Sequence, residues 1–150
     1  MELVYEPSRS QRPHTHPRQL LALSALPPRQ RFEHFLHEAL ARREVWGLCR
    51  GKHWLLIRTV ENGLALPLWS AWEHSEDWNA HHHQIWAHDY APRAIRLGEL
   101  THELIPLLRA EQLAIGCFFV PENNGLTMSP DALCSTPLTM LRSMDTLASQ

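Results

Sequence analysis

The clearest periodic segment lies early in the chain. Phe32, Phe35, Leu36, Ala39 and Leu40 recur three and four positions apart, the apolar stripe of a half-buried helix, and predict a helix over residues 29–43. Pro27 and Pro28 suit its first turn, where a missing N–H removes no helical hydrogen bond. Glu33, His34, Glu38 and Arg42 fall on the other side and are expected to face water.

The period then shortens. Val45–Cys49 (VWGLC) and His53–Val60 (HWLLIRTV) are apolar runs of strand length, parted by Arg50-Gly51-Lys52, and predict a hairpin. Asn62-Gly63 marks a second tight turn, after which Leu64–Trp69 (LALPLW) reads as a third strand. Pro67 has no N–H to give to a ladder, so that strand is expected at a sheet edge or to end there. Ser70, with Glu73 three residues on, has the form of a capping box and predicts a helix over 71–80.

His81–Pro92 is polar and lacks a clear period. Residues 93–97 alternate like a short strand. Gly98–Ala110 predicts a helix with Leu100, Leu104, Leu107 and Leu108 on one face, kinked or divided at Pro106. Ala114–Val120 reads as a buried strand, Glu122–Gly125 as a turn and Leu126–Met128 as a short partner strand. Ser129-Pro130 and Thr136-Pro137 each pair an N-cap with proline at the first helical position.

Strands joined by tight turns, with helices between them, predict the α+β class: one small domain with a mainly antiparallel sheet of about four or five strands and helices packed on it. Residues 1–18 hold Pro7, Pro13 and Pro17 among Ser, Arg and His, and bury too little apolar surface to offset their ordering entropy. They are expected to form a flexible arm, leaving 19–150 as the domain.

Composition narrows the function classes. At 150 residues the chain has length for one real core, and 44% hydrophobic with 20% charged residues fits a soluble globular protein. A net charge of −2 argues against nucleic acid or a membrane surface as partner. Residues 1–58 hold ten Arg and Lys against five Asp and Glu, while residues 59–150 hold four against eleven. The split reads either as chance with a basic arm or as a dipolar surface that orients a charged partner. Lys52 is the single lysine, and the abundance of arginine and histidine reads mainly as a GC-rich coding sequence. Cys49, Cys117 and Cys134 are odd in number and far apart, which points to a reducing compartment. Leu20–Leu26 (LLALSAL) is the one signal-peptide look-alike, and Pro27, Pro28 and Arg29 follow it with no cleavage site. The expected location is the cytoplasm.

Catalytic signatures are missing. Gly47–Lys52 (GLCRGK) lacks the spacing and the Ser/Thr of a phosphate loop, and Pro106 occupies the second histidine position of a His102-Glu103 zinc motif. His74, His81 and His88 recur every seven residues, but two helical turns separate neighbours by about 10 Å, too far for one ion. They remain weak metal candidates, with His81-His82-His83 read as solvated. His34 and His37 form an i, i+3 pair with no third ligand in view. Glu73, Glu76, Asp77 and Asp89 offer carboxylates near the tryptophans, and no spacing selects a catalytic pair. No cofactor is implied.

All six tryptophans fall between Trp46 and Trp86. Trp46 and Trp54 lie in strands and are expected in the core. Trp72, Trp78 and Trp86 flank polar residues, and Trp69 stands at the border. With Glu73 and Asp77 these last four form a candidate interaction face.

The order of short motifs resembles a known family. An Arg31-x-x-x-Phe35 helix leads to VWGL (Val45–Leu48), Trp54 and L-P-L-W (Leu66–Trp69). Ile95-x-Leu97-x-x-Leu100, I-P-x-L (Ile105–Leu108), G-x-F-F-V (Gly116–Val120) and M-S-P-x-x-L (Met128–Leu133) follow. Over residues of about 20–135 this is similar to the bacterial family catalogued as domain of unknown function 2750. The resemblance implies a small single-domain bacterial protein and brings no activity or cofactor. It casts Trp46, Gly47, Pro67, Trp69 and Pro106 as determinants of the fold.

The expected function is a non-enzymatic protein–protein interaction module, adaptor-like or immunity-like, which binds another protein and has the option of a homodimer. The alternative is a small-ligand or metal-binding protein that uses the Trp/His-rich segment 69–90.

Overall fold

The computed structural model describes residues 23–59, 63–82, 90–121 and 125–136. Helix α1 (Pro28–Arg42) begins where the prolines place it, with Pro27 as N-cap. It ends at Arg43, whose left-handed backbone (φ 58°) returns its N–H to the Ala39 carbonyl. Phe35 and Ala39 are buried as the periodicity predicts, with Phe32, Leu36 and Leu40 packed at the margin. Arg31 shares this buried stripe, and its desolvation pulls the guanidinium pKa below its ordinary value.

Strands β1 (Glu44–Arg50) and β2 (His53–Trp54) form the expected hairpin, with Cys49 opposite Trp54 and Gly51 at φ 60° in the turn. The second apolar run does not stay one strand. After Leu55 it leaves β1, and β3 (Ile57–Thr59) pairs instead with β4 (Gly63–Leu68). One run therefore serves two sheets. The first has order β2-β1-β5, where β5 (Ala91–Arg96) lies antiparallel to β1 from Cys49 opposite Ala91 to Glu44 opposite Arg96. The second has order β3-β4-β6-β7, with β6 (Ala114–Cys117) parallel to β4 and antiparallel to β7 (Leu126–Met128). The class is α+β and mostly antiparallel, but the strands form sheets of three and four rather than one sheet of four or five.

A single antiparallel bridge joins the sheets among the described residues. Trp46 and Trp69 exchange both backbone hydrogen bonds, N to O, at 2.7 and 2.8 Å. Of the two expectations for the Pro67 strand, the edge position does not hold, because β4 lies inside its sheet, whereas the strand does end beside the proline, at Leu68. Proline is tolerated there because β3 pairs with β4 only as far as Ala65, so on that side Pro67 meets no ladder.

Helix α2 (Trp72–His82) follows the Trp bridge. Pro106 divides the next helical segment as expected, in a specific way. A short α3 (Leu97–Glu99) widens into a π turn over Leu100–Leu104 before α4 (Ile105–Ala110) resumes. Ile105 donates to the Leu100 carbonyl five residues back, and the wider turn relieves the clash a proline ring makes with a regular helix. Helix α5 (Pro130–Cys134) carries the expected cap: Ser129 Oγ accepts from the Ala132 N–H at 3.1 Å.

The core between these layers contains Phe35, Leu48, Leu66, Trp69, Ile95 and Phe119. No helix among the described residues is long and apolar enough to cross a membrane. The expected arm over 1–18, the helix starting at Thr136-Pro137, and Trp86, His88 and Asp89 lie outside the described residues.

Candidate metal centre

Helix α2 turns a polar face inward. Its buried residues are Glu73, His74, Ser75, Trp78 and Asn79. Polar groups can be buried at low cost only where partners meet them. Ser75 Oγ donates to the Trp72 carbonyl at 2.7 Å, and Asn79 Nδ2 to the Tyr90 carbonyl at 3.0 Å. Ser70, expected to cap the helix, instead donates its hydroxyl to Glu38 Oε1 at 2.6 Å.

Glu38 is the centre of a cluster. His74 Nε2 lies 3.2 Å from Glu38 Oε1, and His34 Nε2 lies 3.7 Å from the same oxygen. One donor atom from each of the three residues falls within 4.8 Å of the others. His34 and Glu38 sit one turn apart on α1, an i, i+4 pair whose side chains share a face. Arg42, one turn further, holds the other oxygen, with its Nη2 3.4 Å from Glu38 Oε2. The expectation that His34, Glu38 and Arg42 simply face water is corrected. The docking of α2 covers that face, leaving the Glu38 side chain 15% exposed and that of His74 1% exposed.

Burial works to raise the Glu38 pKa, but the neighbouring His34 and His74 imidazoles and the Ser70 hydroxyl outweigh it and hold the carboxyl well below the usual carboxylate range. The site therefore presents a fixed anion to two imidazoles. Among the described residues, hydrogen bonding inside it is incomplete: Nδ1 of His74 and Nε2 of His34 are buried without a hydrogen-bond partner.

Phe118 closes the cluster from the sheet side. Its ring centroid lies 4.6 Å from that of His74 and 6.0 Å from that of His34. Its backbone has φ 57°, a left-handed conformation that is strained for a bulky residue. Two bonds hold it there: Phe118 N–H donates to the Leu68 carbonyl at 2.8 Å, and Trp69 Nε1 donates to the neighbouring Phe119 carbonyl at 2.8 Å.

The candidate interaction face does not assemble as a surface. Trp69 is wholly buried and Trp78 is 4% exposed, their rings 5.6 Å apart. Glu73 is buried as well, because the inner face of α2 is polar rather than apolar. Trp72 is half-buried against the core, and Asp77 is partly exposed beside His81. Among the residues read as core, Trp46 is buried, whereas Trp54 is half-buried beneath the Arg93 guanidinium, which stands 5.1 Å over its ring. The heptad of histidines separates: His74 is buried in the cluster, and His81 is exposed with its Nδ1 2.8 Å from the Asp77 carbonyl.

Spacing alone shows the His34–Glu38 pair, but the third member lies 36 positions further on and no local pattern announces it. Cys49 and Cys117 are buried, and burial pushes both thiols up in pKa, which keeps them from acting as thiolate nucleophiles. A shallow groove of about 260 Å³ between Leu108, Leu113 and Pro130 shares no residue with the cluster.

No curated protein and no solved structure matches the chain. Residues 32–136 match the family described as protein of unknown function (DUF2750), a span that holds both sheets and every member of the His–Glu cluster, and the chain belongs to that family.

Proposed function

We propose that the protein binds a divalent transition-metal ion through His34, Glu38 and His74. One observation carries this reading. His34 Nε2 approaches Glu38 Oε1 to 3.7 Å, too long for a hydrogen bond, yet it is buried and aimed at the same oxygen as His74 Nε2. Ligands bonded at ~2.1 Å to one tetrahedral ion lie about 3.4 Å apart, which the two N–O separations of 3.2 and 3.7 Å bracket. Two imidazoles with one carboxylate suit zinc, iron or manganese. Ser70 and Arg42 orient the carboxylate, as outer-shell partners do in metal sites.

A protein–protein interaction module is the second reading; with Trp69, Trp78 and Glu73 buried, its face among the described residues reduces to the partly exposed Trp72 and Asp77. The test is titration of untagged, metal-free protein with Co(II) or Zn(II), followed by metal analysis. One equivalent is expected to bind. His74→Ala and the near-isosteric Glu38→Gln should abolish binding, and His81→Ala should leave it unchanged. Affinity should fall as the solution is acidified, because ligating imidazoles must be deprotonated. Absence of binding, or equal binding by His74→Ala, would leave the cluster as a purely structural network.

A further inference from the structure

The three ligands are unevenly placed with respect to solvent. His74 forms the floor, with 1% of its side chain exposed, whereas Glu38 (15%), His34 (27%) and Arg42 (28%) form a rim along one face of α1. Phe118 covers the cluster from the sheet side. Among the described residues, no fourth His, Cys, Asp or Glu joins the set. Among the described residues an ion held here meets three protein ligands, one fewer than a closed tetrahedral site, and the partly exposed side chains of His34, Glu38 and Arg42 mark the side from which a fourth ligand can reach it.

Charge selects what enters. A divalent ion and the Arg42 guanidinium together outweigh the single Glu38 carboxylate, so the rim carries net positive charge where that fourth position opens. We infer that this position takes a small anion, of the carboxylate class, bonded to the ion through one oxygen and facing Arg42. The inference rests on the metal reading and goes beyond it, because a structural site would close its fourth position with protein.

The experiment uses the full chain loaded with one equivalent of Co(II), whose visible absorption reports coordination number and donor set. Sodium azide, as a reporter anion, is titrated first, and sodium acetate is then used to compete. A saturable, one-to-one change in the Co(II) bands that acetate reverses is the expected result. Arg42→Ala, examined at saturating Co(II), should weaken azide binding about two- to fivefold, the size of a partly exposed charge pair. Tight Co(II) binding with a spectrum that azide leaves unchanged would overturn the open position while leaving the metal site standing. An azide affinity unaltered in Arg42→Ala would remove Arg42 from the anion site. Failure to bind Co(II) at all would overturn both readings.

Discussion

Two regions of this molecule bury their side chains by opposite means. At the seam of the sheets, Trp46, Trp69 and Trp78 are buried through apolar area, and the one strong polar bond of Trp69, from its indole to the Phe119 carbonyl, is complete. In the His34–Glu38–His74 cluster, burial is held by charge and hydrogen bonding, and two buried ring nitrogens are left without hydrogen-bond partners among the described residues. An apolar seam needs only to persist. An unfinished polar cluster has capacity left for a ligand. The two meet at Phe118–Phe119, since the indole that completes the seam also fixes the strained segment that roofs the cluster.

The sharpest way to break this contrast is Trp69→Ala. It removes a fully buried side chain and the partner of the Phe119 carbonyl, and should lower stability to denaturant by about 3–5 kcal/mol. Iodide should reach little of the emission from Trp69 and Trp78 in the native protein. A loss below about 1 kcal/mol would mean that the seam is not the core it appears.

Gly116→Ala tests the same side more locally. A Cβ there stands 2.6 Å from the buried Phe119 ring, and overpacking of this kind costs about 1–3 kcal/mol in urea unfolding.

Glu38→Gln tests the cluster. It should cost about 1–3 kcal/mol at neutral pH, since a buried charge-assisted network exchanges its anionic acceptor for a neutral amide. The pH dependence has a definite sign. Because the folded pKa of Glu38 lies below its ordinary value of 4.5, its contribution is complete above pH 4.5 and is withdrawn as pH falls toward the folded value. The stability gap between wild type and Glu38→Gln should therefore be constant above that pH and close below it. A gap that widened in acid would contradict the assigned electrostatics.

The smallest effect belongs to Asp77→Ala. Its pairing with exposed His81 should be worth no more than about 0.5 kcal/mol by thermal melting. A larger loss would place α2's outer face in an interaction that the isolated chain does not reveal.

Much of the architecture is legible in the chain. α1, the β1–β2 hairpin, the division at Pro106 and the Ser129 cap follow from periodicity, proline placement and capping chemistry, all of which act within a few residues. The misreadings share one cause. In the helix expected over 71–80, Trp78 and Glu73 look like part of an exposed face because their neighbours are polar, and Pro67 looks like an edge residue because it cannot donate. In each case the deciding partner is remote: Glu38 and Tyr90 receive bonds from α2 and its lead-in, and β3 stops short of Pro67. Of the candidate site, the sequence singled out His34, paired with His37, and His74, in a heptad with His81 and His88, but it set Glu38 facing water and did not bring the three together.

Local order was thus determined by the sequence by itself, because helix stripes, turns and caps depend on neighbours three or four residues away. Which tryptophans are core, which histidine joins Glu38, and where a buried carboxylate stays ionised were decided only by the tertiary structure. Burial and electrostatics depend on what the rest of the chain brings within a few ångströms, and here that is a residue 36 positions away.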